Sequence, residues 1–446
     1  MPHEIVFRER YGLLGRKIVY VKPPDQNVVV CHVPRQTVPS SCIEGFIQVI
    51  RQAFLPQGYP ESVSDDYFNY QIWDTMQAFC STLSGTLTTQ AIMKGVGVGD
   101  TAATPLAAAI TWILKDGTGM LGRIVFAWFE GTSLDGNCKK WRLFADALND
   151  VAMFLELLLP TFVEYSTSIL CVSTAMKAIV GVAGGATRAA ITQHQAIRNN
   201  MADVSAKDGS QETCVNLCAS LAGILVLSTF DEGEYVWQMF TIFTLIHLYA
   251  NFRAVKSLKI LTVNISRLNL MIDKYLHTET VGTPENINLQ ESVILGSGLS
   301  DVDLCGFQIK LGTSLQDMLG NRRTTAEEIK LLVNIYGSKK YLIITDLKSR
   351  QIFVSFQQGE TAFHVIQAYF HAVMLAIGVS IAHNISLKIT KDQTSPTVLR
   401  LHQALQKLKN NDSTKPNIRI PIEAMMAVQN TVANEFHIFL SDVLEK

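Results

Sequence analysis

Nine residues, Lys115-Asp116-Gly117-Thr118-Gly119-Met120-Leu121-Gly122-Arg123, set charges and glycines inside an otherwise apolar stretch. Gly117, Gly119 and Gly122 spell GxGxxG, which in a dinucleotide fold aims backbone amides at a pyrophosphate. That chemistry needs a β-strand before the glycines and an acid about twenty residues after them. Here Leu106 to Leu114 is alanine-rich and reads as helix, so a dinucleotide site is rejected. Two readings stay open. The glycines break a membrane helix, whose half-helix N-terminus holds an anion in a cavity. Alternatively they bend the chain between two short cytoplasmic helices, with Lys115 and Asp116 reaching water.

A second polar set follows: Arg188, Gln193, His194, Arg198, Asn199, Asn200, Asp203, Lys207, Gln211 and Glu212. On a helix–turn–helix, Arg188 and Arg198 are donors for a phosphate or carboxylate. Asp208, Ser210 and Glu212 suit a helix start. A solvated, well-capped loop accounts for the same residues. His194 has no second histidine at a ligand spacing, so no metal site is expected. Glu156 and Glu164 sit on the third span and just past it, and Lys177 lies inside the fourth. A buried Glu–Lys pair across helices would fit a solute or proton path. The alternative puts Glu164 at the interface, with Glu156 paired structurally. The ligand-binding candidates are thus Lys115, Asp116, Gly117, Gly119, Gly122, Arg123, Arg188, His194, Arg198, Asp203 and Lys207.

These residues must be carried by long apolar elements. Six candidate spans run from Met76 to Met93, Ala102 to Phe129, Ala147 to Leu159, Tyr165 to Thr187, Cys214 to Phe230 and Tyr235 to Phe252. Each approaches the ~20 residues that cross a bilayer, and the second is interrupted. Lys139, Lys140 and Arg142, then Arg188, Arg198 and Lys207, then Arg253, Lys256 and Lys259 occupy alternate connections. The positive-inside rule then puts both termini in the cytoplasm. Gly181, Gly184 and Gly185 suggest a close helix contact.

The composition agrees. Charged residues are 17% of 446 and hydrophobic residues 48%, against about 25% charged in ordinary domains. Mean hydropathy is +0.19. A net charge of −1 gives no reason to expect nucleic acid as a partner. The charged start, with Glu4, Arg8, Glu9 and Arg10, precedes no apolar signal core, so an internal span is expected to direct insertion. Eight scattered cysteines, with Cys214 and Cys218 one turn apart, read as reduced structural thiols.

Outside the spans, strands are expected at Ile5–Arg8, Ile18–Val21 and Val28–Val33. Ala254, Leu258, Leu261, Ile265, Leu268, Ile272 and Tyr275 form a heptad stripe on one helix. A small α+β domain follows. It has a strand at Gly306–Leu311, a Thr325-x-x-Glu328 capping box, a hairpin over Tyr341–Thr345 and Ile352–Phe356, and a helix from about Thr361. Further helices are expected at Val398–Lys409 and Pro421–Leu444. No nucleophile elbow, P-loop or HExxH occurs, so no enzyme, catalytic residue or cofactor is predicted.

The runs GGATRAAITQHQAIRNNMADVSAKDGSQET (Gly184 to Thr213), KDGTGMLGRI (Lys115 to Ile124) and FADALNDVAMFLELL (Phe144 to Leu158) resemble the root UVB-sensitive family, strongly over residues 40 to 280. The resemblance implies links to light-dependent seedling development, to pairing between family members and to pyridoxal-type cofactor balance. It implies no reaction. The chain lacks the plastid-targeting extension of some plant relatives, so their compartment is not carried over.

The expected fold is mostly α: a polytopic helical membrane domain of about six spans, one broken, then a small α+β cytoplasmic domain. The boundaries are 1–75 for a strand-containing segment, 76–252 for the membrane domain, 253–290 for the heptad helix and linker, and 291–446 for the α+β domain. The expected role is an intracellular multi-pass protein that binds or transports a small anionic metabolite. A non-enzymatic scaffold assembling partners through the C-terminal half is the alternative. Expected partners are the bilayer, that metabolite, and other family members as a homo- or hetero-oligomer.

Overall fold

The computed structural model describes residues 4–11, 16–22, 30–32, 42–95, 105–229, 235–319, 326–337, 339–383, 385, 387, 395–411, 436 and 439. The Thr325 end of the capping box and, apart from Phe436 and Phe439, the Pro421–Leu444 helix lie outside these residues. The chain divides into two compact units: 1–260 with 293–295, and 261–292 with 296–446.

The first unit opens with antiparallel strands β1 (Glu4–Tyr11), β2 (Arg16–Lys22) and β3 (Val30–His32), in the order β1-β2-β3. A short amphipathic helix, α1 (Cys42–Phe54), follows. Six longer helices take up the six apolar runs: α2 (Tyr67–Gly95), α3 (Pro105–Glu130), α4 (Cys138–Leu157), α5 (Ser166–Gln195), α6 (Met201–Thr229) and α7 (Val236–Ser257). The shortest, α4, has 20 residues, which is about 30 Å of helix. α2 packs along α7, α6 and α4, while α5 packs along α4 and α3. Tyr70, Cys138, Ile191 and Ala254 share one cluster, so the start of α2, the start of α4, the end of α5 and the end of α7 lie at one end of the bundle. Leu87, Leu157 and Phe240 cluster at the other end. Successive helices therefore alternate in direction.

Four expectations are corrected within this unit. α3 runs unbroken through Gly117–Gly122. Its glycines serve close packing instead. A Cβ on Gly119 would stand 3.0 Å from Thr174 Cγ2, and one on Gly122 would stand 3.3 Å from the Ala175 carbonyl, both on α5. Gly181, Gly184 and Gly185, expected to make a tight contact, have open space at the Cβ position. Lys139, Lys140 and Arg142 are not solvated loop residues. They lie in the first turns of α4, and Lys139 and Lys140 are buried; Lys139 Nζ donates to the Leu258 carbonyl at 2.7 Å. Helix α6 begins at Met201, so Asp208, Ser210 and Glu212 sit inside it rather than at its start.

The expected heptad helix is two helices. α7 stops at Ser257, and α8 (Ile265–Thr278) starts afresh under an Asn264 N-cap, whose side chain accepts the Arg267 N–H at 2.7 Å. A local cap of this kind satisfies an otherwise orphaned helix N–H, and here it outweighs the continuity of the stripe. Leu258 joins the core of the first unit, whereas Leu268, Ile272 and Tyr275 join that of the second. Leu261 and Ile265 are exposed.

The second unit is α+β. After α8 come α9 (Pro284–Gln290), α10 (Asp301–Cys305), β4 (Gln308–Leu311), α11 (Leu315–Leu319) and α12 (Ala326–Ile335). Strands β5 (Tyr341–Asp346) and β6 (Gln351–Phe356) form the expected antiparallel hairpin, and β4 pairs parallel to β6. Tyr341, Ile343 and Thr345 alternate inward, as a half-buried strand requires. Against the sheet lies α13 (Ala362–Ala382), and α14 (Pro396–Asn411) packs on it.

Among the described residues, three helical segments are long and apolar enough to cross a membrane: Val163–Gln195, Met201–Thr229 and Ala362–Ala382. Burial separates them. The apolar window is 22% and 11% buried in the first two but 72% buried in the third. α13 is thus the enclosed core helix of its unit, α6 leaves Leu217, Leu221, Ile224 and Leu225 exposed, and α5 is mostly half-buried against α3 and α4.

Candidate functional site

Three helices of the first unit bring polar side chains together in an apolar bundle. On α4, Arg142, Asp146 and Asp150 recur every fourth residue and so share a face. On α7, His247 and Asn251 do the same. On α2, Asp74 and Gln77 are three apart.

These faces meet in one connected seam. Arg142 Nη2 donates to Asp74 Oδ1 at 3.0 Å and lies 3.7 Å from Asp146 through Nε. Asn251 donates to Asp146. His247 Nδ1 lies 2.8 Å from Asp150 Oδ2, and its Nε2 lies 2.9 Å from Gln77 Oε1. Gln77 Nε2 joins the two halves by donating to Asp74 Oδ1 at 3.4 Å. The His247 side chain is 1% exposed and that of Asp150 6%. Because His247 has an acceptor at each ring nitrogen, the fully bonded form is the doubly protonated imidazolium.

Three carboxylates here face one guanidinium and one imidazole. Buried carboxylates not matched by positive charge draw a proton or a cation. Asp150 Oδ1 makes no hydrogen bond, nor do Ser84 Oγ on α2 and Thr244 Oγ1 on α7, one turn before His247. The arrangement can hold and pass a proton, and it offers oxygens to a donor-bearing solute. Further along α4, buried Glu156 Oε2 pairs with Lys177 Nζ of α5 at 2.6 Å, the cross-helix pair considered from sequence.

The residues singled out in sequence fall elsewhere, in two separate places. Asp116 and Arg123 are exposed on α3, whereas Lys115 is half-buried; its Nζ sits 3.7 Å from Asp116 and 4.1 Å over the Trp112 ring. Gly117 has open space around it, and Gly119 and Gly122 face α5. No anion cradle forms there, because a continuous helix keeps its amides in its own hydrogen bonds.

The second group gathers where α5 meets α6. Arg188 bonds Asp208 Oδ2 through Nη2 and Glu212 Oε2 through Nη1, both at 2.6 Å. Its fork is occupied by carboxylates of its own chain and is not an open anion donor. Asp203 accepts the Gln57 N–H at 2.6 Å, and Lys207 Nζ donates to the Gln52 carbonyl at 2.6 Å. Arg198 is exposed, and its N–H donates to Asn200 Oδ1 at 3.2 Å.

His194 Nε2 lies 2.9 Å from Asp66 Oδ2, which also accepts the Lys259 N–H at 2.6 Å. Burial pushes the Asp66 carboxyl up. Hydrogen bonds from His194, Lys259 and Ser64 outweigh it and hold the group below the usual carboxylate range. These contacts clasp the α5–α6 turn to the segment before α2 and to the residues after α7.

Sequence reasoning missed the seam. Its available signal was the four-residue recurrence on α4 and α7, in helices otherwise apolar on that face.

Comparison with known proteins places the chain in a family. Residues 41–279 match the domain described as "Vitamin B6 photo-protection and homoeostasis domain", and residues 280–445 match "Root UVB sensitive protein, C-terminal". "RUS family member 1" of Dictyostelium discoideum is 45% identical over 276 residues, which cover 61% of this chain and 51% of the relative. "Protein root UVB sensitive 3" of Arabidopsis thaliana is 35% identical over 337 residues, 73% of this chain and 75% of the relative. "Protein root UVB sensitive 2, chloroplastic", from the same plant, is 28% identical over 69% of this chain and 67% of the relative. The chain thus matches about half the length of the Dictyostelium relative. No solved structure matches it. The chain belongs to the root UVB-sensitive family, which is linked to vitamin B6 homoeostasis and the UV-B response.

Proposed function

We propose that α2–α7 form a six-span intracellular membrane domain that binds or transports a small metabolite at the Asp150–His247 seam. The observation that carries the reading is a connected, buried, net-acidic seam among helices whose outer faces are apolar. In lipid such groups are retained when they line a path or a site.

The outer faces support the membrane placement. On α3, Leu106, Ile113, Met120, Ile124 and Trp128 are all exposed, as are Leu217, Leu221, Ile224 and Leu225 on α6. Soluble domains rarely leave apolar area of that extent uncovered. Arg198, Lys207, Arg253 and Lys256 lie at the ends of α5, α6 and α7 that share one side of the bundle. That side faces the cytoplasm, as do both termini.

The seam also bears on the solute. Its acidic excess favours a solute that brings a proton or positive charge, and an anionic solute would need Asp150 and His247 protonated. A vitamin B6 vitamer, with a protonatable pyridine nitrogen and a ring hydroxyl, fits those demands. The seam groups bond one another rather than forming a nucleophile–base pair, so we read a carrier or binder and not an enzyme.

The test is uptake of pyridoxine, pyridoxal and pyridoxal phosphate by proteoliposomes of the full chain, with and without a pH gradient. Wild-type flux that Asp150→Asn abolishes supports the reading. Flux and binding no greater than in empty liposomes would overturn it. The competing reading is a scaffold, favoured by Leu261, Val263, Ile265, Leu289 and Val302, which the second unit leaves exposed. It gains ground if partners co-purify with the full chain and are lost on truncation at residue 260 while no solute binds.

A further inference from the structure

Ahead of the bundle, α1 carries Phe46, Ile47 and Ile50 at helical spacing, continued by Phe54. Unlike an ordinary amphipathic helix, it turns these residues outward. Phe46 is 64% exposed, Ile47 51% and Ile50 41%, so no described part of the chain covers the stripe. Arg51 is exposed and lies one turn from Ile47, at the flank of the stripe.

The C-terminal end of α1 is held at a defined height on α6. Lys207 Nζ donates to the Gln52 carbonyl at 2.6 Å, and Gln211 Nε2 donates to the Phe54 carbonyl at 2.5 Å. The Gln57 N–H is fixed to Asp203 at 2.6 Å. The exposed apolar band of α6 then begins at Leu217 and continues through Leu221 and Leu225. Leu217 lies six positions after Gln211, about 9 Å along the helix. Interfacial helices bury their apolar face about 5–10 Å into the headgroup boundary. The end of α1 is therefore tied at headgroup depth, beside the band that would meet the acyl chains. Arg198, also exposed, lies next to Gly58 in the segment that follows α1.

We infer that α1 is an interfacial helix whose Phe46–Ile47–Ile50 stripe inserts into the boundary of an anionic bilayer, with Arg51 and Arg198 turned to the headgroups. This rests on the membrane placement of α2–α7 but not on any solute. The stripe is carried by a helix tied to α6 just ahead of its exposed apolar band, and the bases flanking it match acidic lipid.

The test places photoreactive p-benzoylphenylalanine at position 46, 50 or 221 of the full chain, one at a time, in nanodiscs of phosphatidylcholine with phosphatidylserine. Lipid-mass adducts at 46 and 50 as well as 221 are the expected result, with fewer phosphatidylserine adducts at 50 in the Arg51→Glu variant. Adducts to lipid at 221, but only to protein at 46 and 50, overturn the assignment of α1 while leaving the bundle in the membrane. An absence of lipid adducts at all three positions overturns both. Equal phosphatidylserine labelling with and without Arg51→Glu overturns the role given to the basic flank.

Discussion

His247 and Asp150, 97 residues apart in the chain, meet at 2.8 Å between Nδ1 and Oδ2 and tie α7 to α4. Removing one partner of a buried pair leaves the other desolvated and unmatched. His247→Leu should therefore destabilise the protein by about 3–5 kcal/mol. Adding Asp150→Leu to it should restore part of that loss, giving a coupling of about 1–3 kcal/mol. Melting of the four forms in detergent checks this. Strict additivity would mean that the two side chains act independently.

Gly119 and Gly122 let α3 approach α5, whereas Gly117 faces open space. Gly119→Leu and Gly122→Leu should each destabilise by about 1–3 kcal/mol through overpacking. Gly117→Ala should instead stabilise by up to about 1 kcal/mol, the gain in helix propensity. If the glycines formed a helix break, all three substitutions would be harmful. Thermal melts of the three variants separate the two accounts.

Arg188 engages Asp208 and Glu212 at once, a task suited to a planar fork with several donors. Arg188→Lys should lose one of the two bonds and Arg188→Ala both. The expected loss is about 1–2 kcal/mol for alanine, since the side chain is 36% exposed and water screens the pair. Solute affinity should be unchanged in both variants. A selective loss of affinity for anionic solutes in a stable Arg188→Ala protein would return this residue to the role of an anion donor.

In the second unit, His371 is buried beside Tyr341, with 3.2 Å between Nδ1 and the hydroxyl. Burial, aided by the charge of Lys339, pushes the imidazole from its ordinary 6.5 down to about 3. The folded form stays neutral where the unfolded chain binds a proton, so stability is full above about pH 6.5 and falls as pH drops towards 3. His371→Gln removes that titration. Its melting temperature should fall less than that of the wild type between neutral and mildly acidic pH, and parallel curves would refute the assignment.

The six long helices were legible because each apolar run is bounded by charges or glycines and needs only local pattern to be read. The β5–β6 hairpin was legible for the same reason, in the period-two alternation of Tyr341, Ile343 and Thr345. The seam was not. Gln77 reaches His247 across 170 residues, and local periodicity carries no information about such a meeting. Arg142 looked like a loop base because it follows Lys139 and Lys140, yet all three lie within α4. The glycines of α3 were misread in kind. Their signature, small residues in an apolar helix, serves helix contact as readily as helix breaking, and only the position of Thr174 and Ala175 decides between them. The heptad misled because seven apolar residues in step ignore a cap, and Asn264 supplies one.

The pairing of α2 with α7 also bears on how the chain is made. α2 is synthesised first of the six bundle helices and α7 last, yet Gln77 and Asp150 find their histidine only on α7. Until the ribosome has passed that point, Asp74 and Asp146 can meet Arg142 of α4, but Asp150 has no histidine to meet. A chain cut short before His247 would leave Asp150 unmatched inside the bundle. Assembly is thereby coupled to the completion of translation, and the same contacts that build the seam certify that the bundle is whole.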